Sequence, residues 1–223
     1  MGGGRNFLLL LAILSLPLTP KSECNAAEKP LQKVRAGYVS PSTDNVLLPI
    51  AQKRGFLRHH GIEVEIIALR GGVQMAQALL SDSLQFAQMA GSVVVRSVLA
   101  GGDLVMAGLG ASDENIAKKP DFLRRAVRAT LRGIDFLRDA KNKKEVAGIM
   151  VAWFKIRIEQ AEEAYGQMVE AYPPNGVVAD EVIEKDLEIA RQTGAIKNRV
   201  ALSRVVDFQF VKEARNELSG KKP

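Results

Sequence analysis

The chain of 223 residues is poor in the side chains that many enzymes use, with one cysteine, two histidines and one tryptophan. A disulfide within the chain, a CxxC redox pair and a multi-thiolate zinc site all need more than one cysteine, so they are excluded. The sequence also lacks the HExxH, GxSxG, P-loop and GxGxxG motifs of hydrolases and nucleotide-binding enzymes. We therefore expect a protein that is not an enzyme, has no cofactor, and folds by packing alone.

Long apolar runs are equally scarce, since the one clear example is the stretch Phe7–Leu18 near the N-terminus. It is shorter than the roughly 20 residues that a membrane span needs, and it lies between a basic residue and a small, polar segment. These features predict a signal peptide over residues 1–27, cleaved after Ala26 or Ala27, rather than a buried first helix. We expect a soluble periplasmic or secreted product, and the charged residues before Cys24 argue against a lipoprotein.

The composition is typical of a folded protein, with 47% hydrophobic and 25% charged residues. The formal net charge of +6 falls to +5 when residues 1–27 are removed. A positive net charge is compatible with anionic small molecules, membrane surfaces or nucleic acid as partners, and it does not distinguish between them. The arginines that follow residue 120 alternate with apolar residues at core spacing, so we interpret them as a solvated helix face and expect no nucleic-acid partner.

Strand and helix patterns alternate in the first half of the chain and give way to helix in the second. Strands are predicted at 34–40, 62–69, 84–90 and 104–111, with helices at 46–57, 73–83 and 93–102 between them. This order builds a parallel sheet with helices on both faces, an α/β fold. Beyond Ser112 apolar residues recur at helical spacing, with Pro120 suited to a first turn. We therefore predict an α/β ligand-binding lobe over residues 28–112 and a helical segment over residues 113–223.

Three loops that follow predicted strands carry hydroxyl, glycine and basic residues suited to a small polar or anionic ligand. In a doubly wound sheet such loops open on one edge, where helix N-termini present backbone N–H groups. Arg70 could bind a carboxylate, sulfonate or phosphate through two hydrogen bonds. The alternative is that these are ordinary turn and N-cap residues. The predicted ligand-binding residues are Ser40, Ser42, Thr43, Asp44, Asn45, Arg70, Gly71, Gly72, Gly91 and Ser92.

The two histidines are adjacent, His59 and His60, at the end of a predicted helix. Adjacent helical positions face different directions, so the two rings are poorly placed to share a metal ion. We predict a solvent-facing pair and no metal site.

Several stretches carry a family resemblance. They are the Ser/Thr-rich loop after the first strand, the run KRGFLRHHGIEVE before the second, and GDLVMAG after an alanine-rich helix. Residues 35–91 together resemble the N-terminal lobe of ABC-transporter substrate-binding proteins of the SsuA-like class, which bind aliphatic sulfonates, taurine, nitrate or the thiamine pyrimidine precursor. Residues 114–156 and the tail from residue 180 resemble the helical return of the same class.

The resemblance implies a type II periplasmic-binding fold, a small-molecule ligand and an ABC permease as partner. The family normally carries a second α/β lobe of roughly a hundred residues between these two halves. Here only two residues separate Ser112 from Asn115. We interpret the junction as the loss of the second lobe and its crossover strands, which would leave much of a bound ligand in water.

Two alternatives remain open. The chain could be a non-transporting interaction or scaffold remnant of the same fold, with self-association at the exposed lobe edge. It could also resemble the eukaryotic thiamine-pyrimidine synthases, which are enzymes. Those relatives carry a cysteine-rich motif that is absent here and lack a secretion signal, so this second alternative has less support.

Overall fold

The computed structural model describes residues 30–39, 43–106, 109–194 and 200–220. The predicted signal peptide and Cys24 lie outside the described residues. The strands are β1 (Gln32–Val39), β2 (Ile62–Leu69), β3 (Phe86–Gln88), β4 (Leu104–Met106) and β5 (Gly110–Ser112). The helices are α1 (Leu47–Lys53), α2 (Phe56–His59), α3 (Gly72–Leu80), α4 (Gly91–Leu99), α5 (Asp113–Lys118), α6 (Pro120–Arg138), α7 (Lys143–Phe154), α8 (Ile158–Ala171), α9 (Asp180–Gln192) and α10 (Gln209–Leu218).

The five strands form one sheet in the order β2-β1-β3-β5-β4. β1 pairs in parallel with β2 and β3, as predicted, whereas β5 is antiparallel to both of its neighbours. The prediction of a single fourth strand over 104–111 is therefore wrong, because this stretch supplies two antiparallel strands. All three β5 residues, Gly110, Ala111 and Ser112, are buried and small, which lets the strand insert between β3 and β4.

Helices cover both faces of the sheet, so alternate residues of β1 enter different cores. Ala36 and Tyr38 belong to the larger core, which the helices α1 and α6 complete. On the other face Met75 and Leu79 of α3 pack with Val94 of α4. Gly37 faces α3 so closely that a Cβ there would lie 2.4 Å from the Met75 sulfur.

The arginines of α6 do not form the solvated face that the sequence suggested. Arg125 donates to the carbonyl oxygen of His60 at 3.0 Å, because the turn after α2 leaves this carbonyl without a helical partner. It also donates to the side-chain oxygen of Gln32. Arg128 forms an ion pair with Glu217 of α10. These contacts hold α6 against the β1–β2 connection and against α10.

The prediction of two solvent-facing histidines holds for His59 and is wrong for His60. His60 is half-buried, and its Nε2 atom is buried without a hydrogen-bond partner among the described residues. Burial, together with the positive charge of Arg128, lowers the pKa of His60 to about 4. The turn after α2 folds the ring against α6, which helical spacing alone does not reveal.

Candidate functional site

A cleft of about 520 Å³ opens at the carboxyl ends of β1 and β3. The α/β half supplies one side, including the first residues of α3 and α4. The helical half supplies the other, through α6, α8, α9 and the linker over residues 172–179 that joins α8 to α9. Ligands of open α/β sheets bind at this edge, so the cleft lies where the sequence placed a binding site.

Four of the predicted site residues line this cleft: Asp44, Asn45, Gly72 and Gly91. Thr43, Gly71 and Ser92 are their chain neighbours and are not among the lining residues. Arg70 lies outside the cleft with an exposed side chain, because β2 is an edge strand and its end is at the periphery of the sheet. Ser40 and Ser42 fall outside the described residues.

A buried glutamine that the sequence analysis missed joins the two sides of the cleft. Gln88 lies on β3 and is only 8% exposed. Its Nε2 donates to the carbonyl oxygen of Asp44 at 2.9 Å and also to the hydroxyl of Tyr172, and its Oε1 accepts from the Leu48 backbone N–H at 2.9 Å. Gln88 is one of two glutamines in the predicted strand LQFAQMA, and its position among apolar residues was the available signal, since buried amides need partners.

Tyr172, at the start of the linker, is the second missed residue. Its hydroxyl donates to the carbonyl oxygen of Asp44. Burial raises the pKa of the Tyr172 hydroxyl, and the nearby Asp44 carboxylate adds to the effect, so the phenol stays protonated at neutral pH. The linker is thereby attached to the loop after β1.

A second set of contacts holds the linker from the helical side. Arg138 donates to the carbonyl oxygen of Tyr172 at 2.8 Å and to that of Val169, satisfying the carbonyls at the end of α8. Gly176 has φ +74°, and a Cβ there would lie 2.4 Å from Leu131 Cδ2. Glycine therefore lets the linker lie directly on α6 at the wall of the cleft.

The wall of the cleft is predominantly apolar. Valine, leucine, isoleucine and methionine side chains from both halves of the chain form most of it. Among the described residues, no group of three or more histidine, cysteine or acidic side chains is placed to hold a metal ion. No described helix is both long and apolar enough to cross a membrane.

No protein-family model and no curated protein matches the sequence. Solved structures do match the fold. The periplasmic nitrate-binding protein NrtA from Synechocystis aligns with a TM-score of 0.68 at 11% identity, over 86% of this chain and 91% of its own. The aliphatic sulfonate-binding protein SsuA from Escherichia coli aligns with a TM-score of 0.61 at 10% identity, over 77% and 91% of the two chains.

A ligand-binding component of an ABC-type import system from Staphylococcus aureus, solved with zinc bound, gives a TM-score of 0.63 at 12% identity, over 82% of this chain and 99% of its own. Identities this low establish the fold alone. The chain has the fold of SsuA-like periplasmic substrate-binding proteins, as the sequence resemblance implied.

Proposed function

We propose that this chain is an exported solute-binding protein that delivers a small molecule to an ABC importer, and that the solute occupies the cleft. The observation that carries the proposal is the meeting of four predicted edge residues, Asp44, Asn45, Gly72 and Gly91, in one cleft of about 520 Å³. Small-molecule sites typically measure about 300–1,000 Å³. The similarity to NrtA and SsuA supports the same class of role.

The helical half of this chain provides a wall that a single α/β lobe would lack. In two-lobed binding proteins the second lobe closes over the ligand by a hinge motion. Here Tyr172, Val178 and Ile183, from the linker and α9, face the sheet edge across the cleft. This second wall supports the proposal, because a solute in the cleft would contact both halves of the chain.

The lining favours the heterocyclic solutes of the sequence prediction over nitrate or a sulfonate. Arg70 was the residue expected to bind an anion, and its side chain lies outside the cleft. An apolar wall with few polar groups binds an organic body through buried surface, worth about 25 cal/mol per Å². Hydroxymethylpyrimidine-like rings suit such a wall better than a small inorganic anion.

The test is a thermal-shift and calorimetric screen of residues 28–223 with taurine, alkanesulfonates, nitrate, hydroxymethylpyrimidine and small aromatic solutes. A ligand at 100 times its Kd should stabilise the protein by about 2.7 kcal/mol, a rise in Tm of roughly 5–10 °C for a chain of this size. The rise should saturate with concentration.

Two matched tryptophan variants locate the binding. Ala90 is exposed at the rim of the cleft, and Ala201 is exposed away from it. Ala90→Trp should abolish the ligand-dependent rise while Ala201→Trp keeps it, with both apo proteins melting like the wild type. A ligand effect that survives Ala90→Trp would place binding elsewhere. Failure of every solute to move a cooperative melt, together with concentration-dependent self-association, would favour the interaction remnant.

A further inference from the structure

The charges around the cleft have the opposite sign to the charge of the chain. Asp44 and Asp186 are its only charged residues among those described as lining it, and no lysine, arginine or histidine is among them. The whole chain nevertheless carries a formal charge of +6. An anionic solute would therefore enter a locally acidic site on a basic protein.

The polar side chains of the cleft also have few donors left for a ligand. Asn45 Nδ2 donates to the Val39 carbonyl at 2.6 Å, and the Thr130 hydroxyl donates to the Ala126 carbonyl at 3.0 Å. The Gln88 amide and the Tyr172 hydroxyl are likewise engaged with their neighbours and with Asp44. The side chains consequently offer a ligand acceptors rather than donors.

The remaining donors are backbone amides where α3 and α4 begin, at Gly72 and Gly91. Each helix N-terminus is equivalent to roughly half a positive charge. Together they amount to roughly one positive charge. No basic side chain among the described lining residues is placed to pair with the Asp186 carboxylate on α9. The backbone amides can still receive an acceptor atom of a ligand whose opposite end is cationic.

Asp186 is the group that such a cation would satisfy. It is half-buried on α9 beside Val182 and Ile183, which line the same cleft. No described residue forms a hydrogen bond or an ion pair with its carboxylate. Removing a carboxylate from water without a partner is unfavourable, and a ligand cation would supply that partner.

We propose that the cleft selects an apolar ligand that carries a cationic nitrogen, an amine or a protonated heterocycle, and that Asp186 is the specificity-determining residue that pairs with it. This inference rests on the proposed function, because it names the class of solute for the same site. It predicts discrimination by charge among molecules of one shape.

The experiment compares phenethylamine, phenethyl alcohol and phenylacetate by isothermal titration calorimetry on residues 28–223 at pH 7. The three share a ring and a chain and differ in charge. We expect the amine to bind tightest and the carboxylate weakest. Asp186→Asn should weaken the amine about 5- to 10-fold, as loss of a partly buried charge pair does, and change the alcohol by less than about twofold.

Glu184→Gln is the matched control, because it removes one charge from the exposed side of α9, away from the cleft. It should leave all three affinities unchanged. Equal binding of amine and alcohol, tighter binding of the carboxylate, or an equal effect of both variants would overturn the inference while the cleft remained a binding site. Another solute could bind in the cleft, with its binding abolished by Ala90→Trp, while none of the three probes binds. In that case the inference is wrong and the proposed function stands. If no solute binds at all, the proposed function fails with it.

Discussion

Gly176 offers a quantitative test of how the linker is held at the cleft. Its φ of +74° is a left-handed conformation, and alanine there costs about 1–2 kcal/mol from backbone strain alone. The new Cβ would also lie 2.4 Å from Leu131 Cδ2 and 3.3 Å from Val211 Cγ1. Crowding of this kind adds about 1–3 kcal/mol in packed interiors. We expect Gly176→Ala to lower the free energy of unfolding by about 2–5 kcal/mol.

Gly55 separates the two contributions. It has a similar φ of +67°, and a Cβ there would meet no atom within 4 Å. Gly55→Ala should therefore show the backbone cost of about 1–2 kcal/mol without the clash. Urea unfolding followed by far-UV circular dichroism gives both values. Equal losses in the two variants would refute the reasoning, because they would mean that the linker does not pack tightly against α6 and α10.

Two further predictions concern a histidine and a hydroxyl. Because the pKa of His60 is about 4 in the folded protein and 6.5 when unfolded, the unfolded chain binds more protons between these values, and stability should fall as the pH drops through this window. The free energy of unfolding should fall by about 1–2 kcal/mol between pH 7 and 4.5, after allowance for solvent screening. Urea unfolding at the two pH values measures this loss, and His60→Gln should reduce it. An equal loss in His60→Gln and the wild type would contradict the prediction. Tyr172→Phe should lower the free energy of unfolding by about 1 kcal/mol and also weaken ligand binding. Tyr165→Phe loses a hydrogen bond to the Leu137 carbonyl, so it should lower the free energy of unfolding and leave ligand binding unchanged.

The sheet was predictable to the extent that each strand is a local pattern. β1 and β2 are runs rich in valine and isoleucine, and their parallel pairing follows from the helices between them. The stretch 104–111 was misread because its apolar residues suit one long strand as well as two short ones. The choice depends on the slot between β3 and β4, which accepts only the small residues of β5.

The lining of the candidate cleft was predictable only where it belongs to loops after strands. Asp44, Asn45, Gly72 and Gly91 follow from the rule that such loops meet at one edge. Gln88 and Tyr172 are 84 residues apart, and no local signal connects them. The arginines of α6 were misassigned for a related reason, since their partners are carbonyls and carboxylates distant in sequence.

Hydrogen bonds of three side chains join the linker to the sheet edge and to α6, and these bonds have a thermodynamic consequence. Gln88, Tyr172 and Arg138 attach the linker to the sheet edge and to α6. A ligand that contacts both sides should bind best when these contacts are made, so it should stabilise the docking of α8 and α9 as well as the lobe. Hydrogen exchange should then show ligand-induced protection in α9, which carries Asp186. Protection confined to α3 and α4 would mean that the helical half only covers the site and takes no part in selecting the solute.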